Sequence, residues 1–287
     1  MKNQILDISF EEYIADPCEE APSLSRSTIC DLINGKTPAH VYHGSKRLNP
    51  HCEEEVAEAK FDFGTASHAL LLEGEDVMEV IEADSWRTKD AKEARDAARE
   101  AGKIPMLPPQ AEVVTQMVYK ASIAIIGCKE LGITSLLSQG KSEQTYLWKS
   151  GETWMRARPD WVRNDNKLIL DYKTTGKLAH PDEFIRNAIS LGYDIQDYLH
   201  TDGVHRLHGT DPDFVFVVQE TTPPYLVSFI GLDGMAIDMA IDKIKYGKKI
   251  WNECLKTGIW PGYPNKVAYV DTPPYALTNW EFKKEML

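Results

Sequence analysis

Apolar positions fall into two periods along this chain. Up to about residue 140 they recur at helical spacing. Ser25-Arg26-Ser27-Thr28 caps a short helix, Ile29 to Ile33, stopped at Gly35. Phe61 to Glu73 reads as a helix closed by Gly74, and residues 88–101 as an exposed Ala- and charge-rich helix. Pro108-Pro109 opens a helical pattern up to about Leu137, with Val113, Val114, Met117, Val118, Ile125 and Ile126 on it. The period then becomes two. Ser142–Lys149, Thr153–Arg163 and Lys167–Lys173 read as strands joined by turns at Ser150-Gly151 and Asp165-Asn166. Helices are expected at about 181–190 and 193–208, strands at Asp213–Gln219 and Tyr225–Ile230, and a helix from about Gly234 to Lys256. No repeat or linker divides these segments. The pattern predicts one α/β domain over 1–287: a helical part to 140, a core over 141–230, and a helix with a Pro/Tyr-rich tail over 231–287.

The central strands carry side chains that a plain core does not require. Alternation puts Ile169, Asp171 and Lys173 on one face of the third strand. A two-residue loop at Asp165-Asn166 pairs Asn164 with Lys167 and sets Asp160 opposite Asp171. The preceding turn, treated alike, sets Glu143 opposite Arg158. One surface then carries Glu143, Arg156, Arg158, Asp160, Asp171 and Lys173, and a slip of one residue would scatter them. Facing carboxylates repel unless a cation lies between them. Hard oxygen donors suit Mg²⁺ or Mn²⁺, which bind phosphate oxygens and acidify water. Lys173 is then placed to orient water or stabilise charge on a phosphoryl group, and Arg156 or Arg158 to hold a neighbouring phosphate. The competing reading is a surface hairpin laced with ion pairs.

Composition narrows the classes. The 287 residues are 43% hydrophobic and 26% charged, as in soluble globular proteins. No run of about 18 apolar residues predicts a membrane span. The N-terminus lacks the apolar stretch of a signal peptide, and five scattered cysteines read as reduced thiols, so a cytoplasmic setting is expected. A net charge of −12 argues against a passive nucleic-acid coat but allows an enzyme with a local basic groove.

Arg158-Pro159-Asp160 followed by Asp171-Tyr172-Lys173-Thr174-Thr175 resembles the PD-(D/E)xK nuclease core in its RecB-like form. "FDFGTASHALLLEG" (61–74) resembles the Gly-x-x-x-His helix of that superfamily, with Gly64 and His68 on one face. "YDIQDYLHTDG" (193–203) resembles the helix after the core, with Gln196 as its glutamine and His200 where a tyrosine is often found. Residues 24–50 resemble the start of the exodeoxyribonuclease VIII (RecE) nuclease domain of phages and prophages. The resemblance implies a restriction-endonuclease-like mixed sheet flanked by helices. It implies a Mg²⁺-dependent exonuclease that degrades the 5′-ended strand of linear duplex DNA and leaves 3′ overhangs for recombination. In that reading His68, Asp160, Asp171 and the Tyr172 carbonyl hold metal, with Glu143 a further acid. Lys173 is catalytic, Gln196 supports it, and Arg156, Arg158, Thr174 and Tyr193 contact DNA. It further implies a homo-oligomeric ring in the bacterial host cytoplasm and a RecT-type single-strand annealing partner. Alternatives are a RecB-like nuclease of other polarity or structure specificity, a catalytically dead DNA-binding module, and a metal-dependent hydrolase of another substrate.

Other motifs add little. His40, His43, His51 and Cys52 are irregularly spaced for zinc. His205 and His208 read as surface or capping residues. No cysteine pattern suits an iron–sulfur cluster, and no phosphate-binding Gly-rich loop makes the chain its own motor. The basic segment 242–249 reads equally as a solvated face or a DNA contact. Trp86, Trp154 and Trp161 are candidates for base stacking, with core packing the default for Trp161 beside the active strand.

Overall fold

The computed structural model describes residues 2–52 and 62–286. In chain order it begins with β1 (Gln4–Leu6), α1 (Phe10–Ile14), α2 (Arg26–Ile33) and α3 (Pro38–His43). Then come α4 (Asp62–His68), a π-helical turn over Ala69–Glu73, β2 (Met78–Val80), α5 (Lys89–Glu100), β3 (Ile104–Met106), α6 (Pro108–Gly127) and α7 (Leu136–Gln139). The core follows with β4 (Gly140–Ser142), β5 (Thr145–Ser150), β6 (Thr153–Ala157), β7 (Trp161–Arg163) and β8 (Leu168–Thr175). After it stand α8 (Pro181–Ala188), α9 (Tyr193–His208), β9 (Asp213–Glu220), β10 (Val227–Ile230), α10 (Gly234–Thr257) and α11 (Pro274–Met286). Phe61, expected to open a helix, lies outside the described residues.

The main sheet has the order β10-β9-β8-β7-β4, with β8 and β9 parallel and the other pairs antiparallel. The parallel pair needs a crossover, which α8 and α9 provide. A second sheet, β1-β5-β6, is antiparallel throughout. One face of the main sheet packs Val162, Ile169 and Phe216 with Ile195 and Leu199 of α9 and Ile244 and Trp251 of α10. The other packs Trp161, Leu170 and Tyr172 with Ala121 and Ile125 of α6 and Leu71 and Leu72 of the π turn. Burying a large apolar side chain contributes about 1.5–3 kcal/mol, so these two layers set where the strands must lie. Gln219 fastens α6 to the second of these: its carboxamide oxygen accepts from the Tyr172 hydroxyl at 2.5 Å and its nitrogen donates to Met117 O at 2.9 Å.

The central hairpin departs from its expected form in three ways. Each of its first two strands is broken in two. Ser142 pairs Trp161 and Tyr146 pairs Ala157 in one continuous register, yet between them the halves part into different sheets. Pro159 has no N–H for the ladder, and Glu143 adopts φ +56°, which turns the opposing strand. The first loop is Gly151-Glu152, because Ser150 pairs Thr153. That moves the register by two residues from the expected one, so Glu143 faces Asp160, to whose carbonyl its N–H donates at 3.2 Å, and not Arg158. The second loop is wider than two residues. Val162–Ile169 is the last ladder pair, and the Asn164 N–H donates to Gln139 O instead of pairing with Lys167. Its register nevertheless matches expectation: Trp161 opposite Leu170 continues to Asp160 opposite Asp171.

The long helix expected to reach Leu137 ends at Gly127, where Cys128 turns extended with ψ 101°, and α7 is separate. α7 leads into Gly140, whose backbone is ordinary extended chain (φ −155°, ψ −178°). What demands glycine there is the Trp161 ring: a Cβ would lie 2.1 Å from its Cε2. Trp161 is fully buried and donates from Nε1 to Leu136 O at 3.0 Å, so it has nowhere to retreat. Gly140→Ala is therefore expected to lower the urea-unfolding free energy by at least about 1–3 kcal/mol. An unchanged midpoint would show that the β4–β7 seam is not packed this way.

Candidate active site

The break in the hairpin and the end of β8 meet at one point. β8 is buried through Leu168–Tyr172 and becomes accessible from Lys173 onward. Asp171 is inaccessible to solvent, and Lys173, one pleat on, forms an ion pair with its Oδ1. Because β7 has ended, the Tyr172 N–H is free to donate to Asp160 Oδ2, at 2.9 Å. A strand residue sends its N–H and C=O to the same side, so the Tyr172 carbonyl also faces Asp160. Arg158 holds Glu143 through Nε–Oε2 at 2.5 Å, and is itself anchored on Ile8 O at 2.7 Å and Thr145 Oγ1 at 3.1 Å.

His68 enters from the far side of the sheet's end. α4 approaches β8 so closely at Gly64 that a Cβ there would lie 3.0 Å from Thr174 Oγ1. One turn later His68 Nε2 lies 3.3 Å from Asp160 Oδ2 and 3.4 Å from Glu143 Oε1. Its Nδ1 is 3.7 Å from Glu73 Oε1. Glu73 escaped the sequence reading because residues five apart do not share an α-helical face. The π turn over Ala69–Glu73 widens the spacing and brings it round.

Of the residues singled out from sequence, His68, Glu143, Asp160, Asp171, Tyr172, Lys173, Arg158 and Gln196 converge here. Gln196 Nε2 donates to Asp171 Oδ2 from α9. Tyr193 lies beneath Lys173, whose Nζ is 5.3 Å from the ring centre. Thr174 and Tyr193 line a cleft of about 400 Å³ that opens from Lys173 and is walled by Thr175–Leu178, Phe184 and Leu191. Arg156 does not join them. The parting of the sheets at Pro159 leaves it under the N-terminal segment, where it is buried and bound to Ser23 O and Oγ (2.5 and 2.9 Å) and to Asp16 (3.3 Å). Its expected DNA contact is thereby corrected, since its charge is already satisfied inside the protein. Trp154 and Trp161 are likewise buried. His200 and Asp197, both buried on α9, border the cluster but have no counterpart in the alternating strand pattern.

Charge is unevenly distributed over these groups. Burial raises the pKa of Asp160, but Lys173, the hydrogen bond and charge of His68, and the Tyr172 N–H outweigh it and hold the carboxyl well below the usual range. Asp171 moves the other way, to about 6, because burial and the neighbouring Asp160 charge exceed the help from Lys173. Glu143 is pushed up to about 7 by burial and Asp160, against His68 and Arg158. For His68 burial acts downward, yet Asp160, Glu73 and Glu143 together drive it up to about 10. Lys173 is also raised: burial opposes its charge, but Asp171 and Asp160 favour it.

One atom each of His68, Glu143 and Asp160 lies within 4.8 Å of the others, a spacing that fits one ion. Two carboxylates and an imidazole, beside a backbone carbonyl, match the donors of Mn²⁺ or Mg²⁺ sites. Asp171 lies outside that group, and its buried Oδ1 is held by the Lys173 ammonium. The chain's own cations, Lys173 and protonated His68, balance the acids without a metal. A metal must displace the His68 proton, and its affinity is expected to rise about tenfold per pH unit through neutrality. Calorimetric Mn²⁺ titrations in buffers of different ionisation enthalpy should show proton release; a pH-independent affinity would remove His68 from the ligand set.

Over residues 35–273 the chain matches the model of a family described as a PDDEXK-like domain of unknown function (DUF3799). Among solved structures, the crystal structure of a protein named a "putative exonuclease", from Eubacterium rectale, aligns with a TM-score of 0.62 at 13% identity. The alignment covers 95% of this chain and 98% of that one, and at this identity it speaks for the fold alone. The mixed sheet between helical layers is thus the restriction-endonuclease-like architecture. No curated protein matches the chain. Among the described residues no helix is long and apolar enough to cross a membrane.

Proposed function

The chain belongs to this PDDEXK-like family, and from that premise we propose that it is a divalent-metal-dependent DNA exonuclease. The observation that carries the reading is the gathering of His68, Glu143 and Asp160 within 4.8 Å of one another beside the buried Asp171–Lys173 pair. The E. rectale neighbour's name points the same way. A bound Mg²⁺ or Mn²⁺ would supply Lewis acidity toward a phosphate oxygen and a lowered pKa for water. His68, Asp160, Asp171 and the Tyr172 carbonyl would hold it, with Glu143 closing the set.

The rest is done by the chain itself. Lys173 is charged and held between Asp171 and the Tyr193 ring, so its ammonium sits at a defined place at the mouth of the cleft. There it would orient the attacking water and offset negative charge as the phosphodiester bond breaks. The cleft beyond Lys173 would take the nucleoside next to the scissile phosphate. Its walls combine apolar surface from Leu178, Leu191 and Phe184 with the Asn187 amide, a mixture suited to a sugar and an unstacked base. Leu178 and Leu191 stand 68% and 50% exposed, which serves a base rather than a core. Arg158 and Thr174 would act nearer the backbone, Arg158 chiefly by fixing Glu143.

Within this reading we assign the substrate as ends of linear duplex DNA. The 5′-ended strand is degraded, a ring of copies encircles the duplex, and a RecT-type annealing protein receives the 3′ overhang. The likeness of residues 24–50 to the start of the RecE nuclease domain supports these finer points, beside the superfamily-level likeness of 61–74 and 193–203. Blunt duplexes with either the 5′ or the 3′ end blocked test polarity: blocking the 5′ end should abolish nucleotide release in Mg²⁺, and continued release would overturn it. Lys173→Met should lower the rate on the order of 10²–10³-fold while Mn²⁺ still binds. Wild-type-like digestion by that variant would sink the nuclease reading. Leu178→Ala should weaken turnover of blunt duplex more than of an end whose terminal bases are already unpaired; equal effects would remove the cleft from the substrate path.

A further inference from the structure

The first turn of α9 carries two groups the site relies on, Tyr193 beneath Lys173 and Gln196 on Asp171. Its start has no cap of its own. Gly192 precedes it at φ +70° and ψ 31°, and no side chain caps the turn among the described residues. Another helix sets its place. Arg26 opens α2 behind the cap Ser25, and its Nη2 donates to Leu191 O. Its Nε reaches Gly192 O at 3.4 Å, the same carbonyl that accepts from the Gln196 N–H at 3.1 Å. The guanidinium carbon lies 5.6 Å from the centre of the Tyr193 ring. One side chain thus grips residues 191, 192 and 193. Cys30, four residues on and on the same face of α2, completes the grip: a Cβ at Gly192 would collide with its Sγ. A planar fork of fixed donors can serve two carbonyls and a ring face together, which the single point of an ammonium cannot.

We propose that Arg26 is a positioning residue: by fixing the turn at 191–193 it sets the Tyr193 ring, and the ring holds the Lys173 ammonium at the mouth of the cleft against the pull of Asp171. The same ring receives both cations, with Lys173 Nζ 5.3 Å from its centre. A cation within about 6 Å of a ring face is attracted by it, so moving the ring moves the ammonium. Asp171 alone would draw Lys173 inward, toward a carboxylate that is wholly buried. Arg26 acts from behind: Leu191 and Tyr193 wall the cleft beside Lys173, and Arg26 is not among the residues that line it. This inference rests on the reading of Lys173 as the catalytic lysine, although the placement of its ammonium is measurable without DNA.

Two measurements on the full chain test it. In protein labelled with ¹³C at the lysine ε-carbons, the Lys173 signal is identified by its loss in Lys173→Met. Arg26→Ala should move that signal in the direction that Tyr193→Leu moves it, and should leave it in place when Tyr193→Leu is already present. A signal that Arg26→Ala leaves unmoved overturns the proposal. Kinetics on blunt duplex in Mg²⁺ then compare the same substitution in the two backgrounds. In the wild-type background kcat should fall on the order of tenfold, the cost of a small misplacement, with KM changed less than about twofold. In Tyr193→Leu the further loss should be less than about twofold, because no ring is left to set. Equal losses in both would show that Arg26 does not act through Tyr193. The salt dependence of duplex binding should be unchanged in Arg26→Ala; a log–log slope reduced by about one would make Arg26 a phosphate contact and overturn its role as a positioning residue. Should Arg26→Ala fail to fold, Arg26→Lys, which keeps the charge but not the fork, has to move the Lys173 signal the same way, and an unmoved signal there is equally decisive against the proposal. If the Lys173 signal behaves as expected while the wild type releases no nucleotide from DNA, the positioning role stands and only the assigned function falls.

Discussion

Acidic oxygens crowded where water is scarce must be neutralised by something, and that requirement governs this protein's centre. Asp160, Asp171 and Glu143 meet at the end of β8, with Asp171 wholly buried. Without a metal, Lys173 and protonated His68 supply the balancing charge, and the three acids divide it unequally. Asp160 has the larger share and stays ionised easily; Asp171 and Glu143, pressed by burial and by Asp160, hold their protons up to about 6 and 7. Such a set accepts a divalent cation by exchanging protons for it, which ties cation binding to pH.

The scaffold creates that crowding with one interruption. A hairpin that could have run as a single ladder is cut at Pro159 and at the left-handed Glu143, and its halves enter two sheets. The cut leaves the Tyr172 N–H and carbonyl without strand partners on that side, and Asp160 takes the N–H. It also explains why Arg158 and Arg156, two residues apart, have different fates. Arg158 stays at the junction and holds Glu143, while Arg156 follows β6 beneath Ser23 and Asp16. Backbone groups released by an interrupted ladder are costly unless paired, so the break and the site are one feature.

An excess of acid over base need not oppose a nucleic-acid substrate. The net charge of −12 is spread over the chain, whereas under the proposed function phosphate recognition would act within about a Debye length of the metal and Lys173. Lys173 and Lys177 both line the cleft that would receive the strand.

Much of this was legible in the chain. Alternation placed Asp171 and Lys173 on one face, and the register of the second loop set Asp160 across from Asp171, because side chains two apart on a strand cannot do otherwise. The spacing of Gly64 and His68 placed them on one helical face for the same kind of reason. The rest depended on contacts between distant segments. Glu143 stands across the strands from Asp160 rather than from Arg158 because the first loop closes at Gly151-Glu152, a register shift of two residues that local preference does not decide. Glu73 reaches His68 only through a π turn, Arg156 is withdrawn by an N-terminal segment more than a hundred residues away, and the cleft beside Lys173 exists only once α8 and α9 pack over β8. Local periodicity decides which way a side chain points from its own element, while burial and charge balance among remote elements decide what it meets there.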